Sequence, residues 1–256
     1  MKIIAIIQAR MGSTRLPGKI LKEVLGKPLL EYQIERVKRS RLINQMVIAT
    51  TLKENEQPII DLCTRLSVDY YRGSEADVLS RYFEAAQQYE ANVVVRLTSD
   101  CPLIDPDTID HIITNYLENP HNYDYVSNTI VRTYPRGFDV EVFSMEALEQ
   151  ANNEARDTVE REHVTPYIYH HPDKFTLANV KRKNDLSSFR LTVDTDADLE
   201  LITRVITNLY GQKNEQFLLE DIIQLLQKKP EWALINAHIE QKKLTPAKPK
   251  SLDIEE

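Results

Sequence analysis

Three short apolar runs in the first part of this 256-residue chain constrain its fold more than any other feature of the sequence. They span residues 3–7, 46–49 and 93–97, and a segment with apolar residues at helical spacing follows each of them. Such runs, bounded by polar turns, are typical of strands that are buried on both faces of a parallel sheet. The alternation of strand and helix predicts an α/β protein with a Rossmann-like three-layer α/β/α fold and a mostly parallel sheet.

The other elements are predicted from the same spacing argument. Crossover helices are expected at residues 29–39, 54–67, 75–89 and 106–117. From residue 122 to 185 the rhythm changes, with strands expected at 123–128, 138–143 and 175–180 and helices near 145–152 and 158–169. We interpret residues 122–185 as a small inserted β-rich region that carries a second substrate.

The last part of the chain is expected to complete the domain and then lose order. The run 189–193 predicts a strand that returns to the main sheet, followed by helices near 197–209 and 218–227. Order is expected to fade after Pro230. Residues 1–240 then form one domain, and residues 241–256, which contain two prolines, four lysines and few apolar side chains, form a flexible tail.

Charge is distributed unevenly along the chain. The formal net charge is −7, but the first fifty residues carry ten basic and three acidic side chains, which leaves +7 there and −14 elsewhere. A compact cationic end on an anionic body suits a small polyanion such as a nucleotide and does not suit a long duplex, so we expect no nucleic-acid partner. The basic cluster from Arg36 to Arg41 is expected on the solvated face of a helix.

Composition excludes several further classes of protein. With 42% hydrophobic and 28% charged residues the chain has the composition of a globular domain, and its apolar run 3–7 is too short for a membrane span or a signal peptide. Cys63 and Cys101 are isolated, which argues against a zinc site and for a reducing compartment. We therefore expect a cytoplasmic protein without a membrane partner.

The loop at residues 8–19 is the first candidate for a binding site, because ligands of parallel sheets lie beyond the carboxyl ends of the strands. Five residues separate Gly12 from Gly18, and Ile20 follows Lys19, so the loop is not a P-loop. None of the six glycines has the alternate spacing of a dinucleotide-binding loop, so dehydrogenase chemistry is unsupported.

The same loop nevertheless offers the groups that a triphosphate needs, namely backbone amides at a glycine, hydroxyls and cations. These groups are the backbone of Ala9 and Gly12, the hydroxyls of Ser13 and Thr14, and the cations Arg10, Arg15 and Lys19. The alternative is an exposed loop whose charges are incidental.

Residues 8–19, Gln-Ala-Arg-Met-Gly-Ser-Thr-Arg-Leu-Pro-Gly-Lys, resemble the opening signature of the sugar-activating cytidylyltransferases. That family includes the CMP-KDO and CMP-sialic-acid (acylneuraminate) synthetases, and the resemblance is strongest to its spore-coat polysaccharide (SpsF) branch. The other matching strings lie in the order expected for the family, at residues 71–79, 96–104, 134–141, 161–167 and 191–195.

The resemblance implies a nucleotide-diphospho-sugar transferase fold and a Mg²⁺-dependent transfer of CMP from CTP to a sugar, with release of pyrophosphate. It implies that Asp100 and Asp194 hold the metal, while Asp196 and Asp198 leave the choice of the second acid open. A turn residue at Asp100 and a helix cap at Asp194 are the alternatives. The family reads the pyrimidine in the region of Ser74, for which the alternative is a plain turn before a helix.

The acceptor sugar is expected to lie against residues 122–185. Arg136 can pair with a carboxylate or phosphate, and four further side chains can bond hydroxyls. These four are Asp139, Glu141, Glu162 and His163. By analogy with the family we also expect a homodimer formed through this region.

Two other functions stay open at this stage. One is a glycosyltransferase that uses a nucleotide sugar, since residues 194–196 and 196–198 each match an Asp-x-Asp metal motif. The other is a nucleotide-binding scaffold protein without activity. Three cations in the first loop favour an unreacted triphosphate, and hence the cytidylyltransferase.

Overall fold

The computed structural model describes residues 1–118, 123–213 and 216–241, with the side chains of residues 212 and 213 left out. Its strands are β1 (Ile3–Gln8), β2 (Glu23–Val24), β3 (Lys27–Pro28), β4 (Gln45–Thr51), β5 (Asp69–Gly73), β6 (Val93–Thr98), β7 (Tyr125–Ser127), β8 (Glu141–Ser144) and β9 (Leu177–Asn179). Short 3₁₀ helices span Lys19–Leu21 and Glu54–Glu56.

The α-helices follow the predicted order, with ends that differ by a few residues. They are α1 (Leu29–Val37), α2 (Gln57–Arg65), α3 (Val78–Gln88), α4 (Pro106–Leu117), α5 (Met145–Glu154), α6 (Thr158–His163), α7 (Pro166–His170), α8 (Asp196–Lys213), α9 (Leu219–Lys228) and α10 (Pro230–Ala233). No helix of the described segments combines the length and the apolar character that a membrane span requires.

Seven strands form one sheet in the order β5-β4-β1-β6-β8-β7-β9. The first four strands of this order are parallel, β8 runs antiparallel to both β6 and β7, and β9 is parallel to β7. This arrangement confirms the expected α/β fold with a mostly parallel sheet. The strands of the segment 122–185 extend the same sheet.

The environment of strand β1 explains why the central strands have unbroken apolar sequences. Ile3, Ala5 and Ile7 belong to the core on one face, with α1, α4, α8 and α9, whereas Ile4 and Ile6 belong to the core on the other, with α3 and α5. All five side chains are buried. A strand covered on both faces cannot alternate polar with apolar residues, so it appears as an unbroken apolar run.

The point where the chain reverses its direction across the sheet lies between β1 and β6. From β1 the chain moves through β4 to β5 at one edge and then crosses back, through α3, to β6 on the other side of β1. The loops that leave β1 and β6 therefore diverge from neighbouring strand ends, where the Ser99 amide donates to the Gln8 carbonyl at 3.1 Å. In open α/β sheets this crevice is where ligands bind.

The expected return strand at 189–193 is wrong as a strand of the main sheet. It forms only an isolated parallel bridge between Arg190 and Arg136. The Leu191 amide donates to the Arg136 carbonyl at 2.7 Å, and the Val193 amide donates to the Asp100 carbonyl at 2.8 Å. The segment thus bonds to the loop after β6 and to the loop between β7 and β8, and it does not join the sheet.

Two other expectations also need correction. The predicted helix 158–169 is divided into α6 and α7 at Val164, whose φ of +73° is not helical, and Pro166 at the start of α7 has no N–H to continue the hydrogen bonds of α6. Order does not fade at Pro230, because α10 begins there and Asn236 is buried. The expected tail lies, beyond residue 241, outside the described residues.

Arg36 does not lie on a solvated helix face as predicted. Its guanidinium is fully buried and donates to the carbonyls of Leu103, Ile104 and Phe217 at 2.9–3.1 Å. Burial lowers the pKa of Arg36 to about 10. Lys38 and Arg41 are exposed as expected, and Arg39 is partly buried. Arg36 therefore ties α1 to the segments before α4 and α9.

The contact between the 136 and 191 segments makes Gly137 a sensitive position. Gly137 has φ +99°, and a Cβ there would lie 2.5 Å from the backbone of Leu191. We expect Gly137→Ala to lower the free energy of unfolding by about 3 kcal/mol or more. Gly26, with φ +74° and open space around it, is the matched control, and Gly26→Ala should cost about 1 kcal/mol. Equal losses in urea denaturation would contradict the steric argument.

Candidate functional site

A lysine between two aspartates marks the centre of the crevice. The Lys19 ammonium lies 2.7 Å from Oδ1 of Asp194 and 3.3 Å from Oδ2 of Asp100. The Arg15 guanidinium contacts the other oxygen of Asp194 at 3.1 Å. Lys19 follows β1, Asp100 follows β6 and Asp194 precedes α8, so three distant segments meet here. The structure brings together the cationic loop and the two acids selected from the sequence.

The geometry also distinguishes among the three aspartates near residue 194. Asp196 is exposed in the first turn of α8. Asp198 is completely buried, and its carboxylate accepts hydrogen bonds from the amides of Asp194 and Thr195 at 3.0 Å. Only Asp194 faces Lys19. Burial opposes the ionisation of Asp194, but the charges of Lys19 and Arg15 lower its pKa below the ordinary value.

Arg190 is hydrogen-bonded to Asp194. This arginine was not identified from the sequence as part of the site. Its guanidinium donates to Asp194 at 2.9 Å and to both oxygens of Asp198 at 2.8 and 3.1 Å. Asn236 donates to Asp198 at 2.8 Å and to the Arg190 carbonyl at 3.0 Å, and Gln241 accepts from Arg190 at 2.6 Å. The segment after α10 therefore helps to fix an acid of the site.

The residues of the loop 8–19 lie where a loop after β1 must place them. The Ala9 amide donates to the Ala49 carbonyl at 3.0 Å, so the loop leaves the sheet from a fixed point. Buried Glu56 accepts from the Met11 amide at 2.9 Å and thereby holds the next residues. Gly12 is exposed, as an approach of phosphate to its backbone requires.

The remaining loop side chains are arranged around this backbone. Ser13 accepts a hydrogen bond from the Leu16 amide at 3.4 Å, so its hydroxyl supports the turn. Arg10 is half-exposed, with its guanidinium 3.9 Å from Glu75. Glu75 also pairs with Lys53, and that bond lowers the pKa of Glu75 despite the opposing effect of desolvation.

Ser74 lies in the turn between β5 and α3, which is the local structure that the alternative interpretation expected. Its hydroxyl accepts from the Asp77 amide at 3.0 Å, which is the geometry of a turn before a helix. Its carbonyl accepts from buried Arg81, and Asp77 caps α3 and pairs with Arg161. A Cβ at Gly73 would come within 2.9 Å of Arg81 and Tyr71, so the turn is tightly packed.

A cavity of about 390 Å³ lies beside the crevice, against the segment 122–185. Its walls combine charged, hydroxyl and aromatic side chains. They are Arg96, Thr129, Ile130, Asp139, Glu141, His163, Thr165 and Tyr169. Three of the five predicted acceptor residues are in this set.

The other two predicted acceptor residues lie outside that lining. Glu162 is exposed on α6. Arg136 is partly buried, and the charges of Arg132 and Arg190 as well as Asp139 act on it. Desolvation and the two neighbouring arginines lower the pKa of Arg136. Arg136 thus lies between the cavity wall and the arginine that holds Asp194.

An ion pair at the base of the cavity was not found in the sequence. Arg96 of β6 pairs with Glu141 of β8 and donates to Gln8 at 3.2 Å. Glu141 also accepts from Tyr125 at 2.9 Å and from Thr165, so both its oxygens are bonded within the protein. Glu141 therefore orients the wall and is not placed to bond a sugar hydroxyl directly, as the sequence suggested.

The charge of the cavity follows from these pairs. Desolvation opposes the charge on Arg96, yet Glu141 raises its pKa, and the two charges cancel. Asp139 is bonded by both terminal nitrogens of Arg132, at 2.5 and 2.9 Å. Among the residues that the structure describes, no oxygen accepts a hydrogen bond from the Arg136 guanidinium. Arg136 is accordingly the cation best placed to meet an anionic ligand.

The carboxylates in the crevice can also be compared with the ligands that a metal ion requires. Within the described segments, no three His, Cys, Asp or Glu side chains cluster as a complete metal site. Two carboxylates, Asp100 and Asp194, do converge. That is the number of protein ligands typical of Mg²⁺ when substrate phosphates and water supply the others, so the residues fit this ion.

A cationic loop and two acids at the reversal point of a parallel sheet, beside a polar cavity, define a nucleotide-dependent transferase. The chain belongs to the cytidylyltransferase family, whose model matches residues 4–243. That membership confirms the family assignment made from the motifs.

Individual proteins support the same assignment. The chain is 38% identical to an uncharacterized protein of Methanocaldococcus jannaschii, over 94% of this chain and 97% of that one. It is 32% identical to the spore coat polysaccharide biosynthesis protein SpsF of Bacillus subtilis, over 90% and 96%. The structure of a cytidylyltransferase from Leptospira borgpetersenii covers 95% of this chain and 100% of its own, with a TM-score of 0.87 and 34% identity.

We expect Asp198→Asn to lower the free energy of unfolding by about 3 kcal/mol at pH 7, because it leaves part of the buried charge of Arg190 uncompensated. Arg190 and Asn236 hold the pKa of Asp198 below its ordinary 3.8 even though burial opposes this. The contribution of Asp198 is therefore complete above that value and lost as the pH falls through the folded-state pKa.

Urea denaturation at several pH values measures this effect. The difference between wild type and Asp198→Asn should be full at neutral pH and shrink below about pH 4. Asp196→Asn, in the same turn but exposed, should stay within about 0.5 kcal/mol of wild type. A pH-independent difference would contradict the role given to the ion pair.

Proposed function

We propose that this protein transfers CMP from CTP to an acidic or otherwise charged sugar, with release of pyrophosphate. The observation that carries the proposal is the position of Lys19, which lies within 3.3 Å of both Asp100 and Asp194. One short segment thus brings phosphate-binding cations to the two carboxylates that a metal-bound nucleotide requires. Membership in the cytidylyltransferase family supplies the reaction class.

The triphosphate lies in the loop after β1 in this proposal. Arg10, Arg15 and Lys19 bind its oxygens, and the backbone amides of Gly12 and Ser13 add donors at close approach. The Ala9 amide, which the sequence also offered, is used by the Ala49 carbonyl and the Met11 amide by Glu56, so neither binds phosphate. The same groups offset the charge that develops on the leaving pyrophosphate. Because the sheet and Glu56 fix the start of the loop, little rearrangement is needed when the phosphates bind.

Asp100 and Asp194 would hold Mg²⁺. When bound, this ion neutralises phosphate oxygens and orients the α-phosphate for attack. Arg190 keeps the Asp194 carboxylate at the crevice through its bond to Oδ2, and Asp198 keeps Arg190 in place. The turn at Gly73 and Ser74 reads the pyrimidine through backbone groups and the Ser74 hydroxyl.

The acceptor occupies the cavity between β8 and α6. Arg136, which lies beside the cavity, pairs with its carboxylate or phosphate, since Arg96 in the wall and Arg132 next to it already have carboxylate partners. The sugar hydroxyls meet Thr129, Thr165 and His163 on the wall. The cavity thus directs the charged end of the acceptor towards the α-phosphate.

The relative in Bacillus subtilis suggests the wider role. By its name SpsF serves spore coat polysaccharide biosynthesis, and we propose a comparable role in surface polysaccharide formation here. We also propose that the protein acts in the cytoplasm as a homodimer formed through residues 122–185. Ile130 and Val131, which are exposed in that segment, suit such a contact.

The reaction class can be tested by an assay of pyrophosphate release. Each of the four nucleoside triphosphates is incubated with Mg²⁺ and a panel of sugar acids and sugar phosphates, and pyrophosphate release is measured. We expect release only with CTP and a charged sugar. Asp100→Ala and Asp194→Ala should each reduce the rate at least about 100-fold.

Asp196→Ala is the matched control, because this acid is exposed two residues from Asp194, and it should retain the wild-type rate within about twofold. Hydrolysis or transfer from a finished nucleotide sugar, without pyrophosphate release from CTP, would favour a glycosyltransferase. Nucleotide binding without turnover of any sugar would favour a scaffold protein.

The acceptor site can be tested by a substitution of Arg136 and measurement of both KM values. Arg136→Gln should raise KM for the charged sugar by about 10- to 100-fold, the loss expected for one charge-assisted hydrogen bond, and leave KM for CTP unchanged. Arg156→Gln, which removes an exposed arginine from the same segment, should change neither constant. Equal increases in both KM values for Arg136→Gln would place this side chain at the nucleotide instead.

A further inference from the structure

The cations of the phosphate loop contact carboxylates of the protein itself. Arg15 contacts Asp194 at 3.1 Å, Lys19 contacts both Asp100 and Asp194, and Arg10 lies 3.9 Å from Glu75. Two of these carboxylates are the ones that the proposed function gives to Mg²⁺. The groups that bind phosphate and those that bind metal are therefore occupied with one another.

The balance of charge in this cluster is close to neutral. Three cations, Lys19, Arg15 and Arg190, face three carboxylates, those of Asp100, Asp194 and Asp198. A divalent cation added alone brings excess positive charge to a largely buried position. A triphosphate added with it more than offsets that excess, because its negative oxygens take over the loop cations.

Lys19 differs from the two arginines in its position. Its ammonium is within hydrogen-bond distance of both acids, and only 13% of its side chain is exposed. A compact ammonium on a flexible stem can move from carboxylate to phosphate without displacing its neighbours. Arg190, by contrast, is fixed by Asp198 on its other side.

We propose that the Lys19 ammonium occupies the position between Asp100 and Asp194 that the metal ion takes when nucleotide binds. In the nucleotide-free protein its ammonium holds Asp100 and Asp194 together, so Lys19 and a divalent cation compete for the same two carboxylates. Nucleotide binding ends the competition, because the triphosphate draws Lys19 away and exposes the acids to the metal. This inference rests on the proposed function and adds to it a rule for assembly, in which metal and nucleotide bind together and neither binds well alone.

A purely structural ion pair makes the opposite prediction for a lysine variant. If Lys19 only stabilises the loop, its removal disorders the site and weakens the binding of metal and nucleotide alike. If Lys19 competes with the metal, its removal strengthens the binding of Mg²⁺ alone while it weakens the binding of CTP. The sign of the change in Mg²⁺ affinity therefore separates the two roles.

The experiment is isothermal titration calorimetry of Mg²⁺ into the full-length, nucleotide-free protein. Lys19→Met, which removes the ammonium, and Lys19→Gln, a polar second variant, should each bind Mg²⁺ at least about tenfold more tightly than wild type. Lys19→Arg, which keeps a cation, should bind like wild type. Lys183→Met removes the same charge from an exposed position and is the matched control, expected to stay within about twofold of wild type.

Unchanged or weaker Mg²⁺ binding in variants that melt cooperatively would overturn the proposal. The wild type provides a test that does not depend on any variant: Mg²⁺ alone should leave its melting temperature unchanged, and a clear rise would also overturn the proposal. Pyrophosphate release by the wild type is measured in parallel. Tighter Mg²⁺ binding in Lys19→Met without any release from CTP in the wild type supports the competition and rejects the proposed function.

Discussion

The contact of Lys19 with Asp100 and Asp194 is the constraint on which the rest of this structure depends. Each partner comes from a different part of the chain. Lys19 lies in the loop after β1, Asp100 follows β6, and Asp194 ends a segment that is hydrogen-bonded to the loop after β6. Strands β1 and β6 must be neighbours for this contact to form. The crossover from β5 back to β6 makes them so.

Buried ion pairs then fix the side chains around this centre. Arg190 and Asp198 hold Asp194 from one side, and Arg96 pairs with Glu141 in the wall of the neighbouring cavity. Ions are costly to bury, and they are tolerated when their partners are arranged in advance. Such pairs keep the site in one geometry before any substrate binds, which is the condition for electrostatic stabilisation of a charged transition state.

The sequence was sufficient to predict those features whose signal lies in one contiguous stretch of the chain. The apolar run of β1 predicted a buried strand, and the loop that follows it was expected beyond the carboxyl end of that strand, where the structure places it, because both signals are contiguous in sequence. Asp100 was found for the same reason, as the first acid after a buried strand. For Asp194 the pattern allowed three candidates, and only the packing of Asp198 against Arg190 and Asn236 separates them.

Side chains that act through distant partners could not be found in this way. Arg36 resembles its exposed neighbour Arg41 in the sequence, and only the carbonyls of segments far along the chain explain its burial. Arg96 gave a usable signal, since a charge inside an apolar strand requires a partner, but the sequence does not identify that partner as Glu141. The run 189–193 was mistaken for a sheet strand because its short apolar pattern resembles one. The sequence does not show that Arg190 pairs with Asp194 and Asp198.

The most direct test of the account is a crystal structure of the protein with CTP and Mn²⁺, in which anomalous scattering locates the metal. The account predicts a manganese peak in contact with both Asp100 and Asp194, the triphosphate along residues 9–19, and the Lys19 ammonium on phosphate oxygens. A metal or nucleotide bound elsewhere, with Lys19 still between the two aspartates, would contradict it.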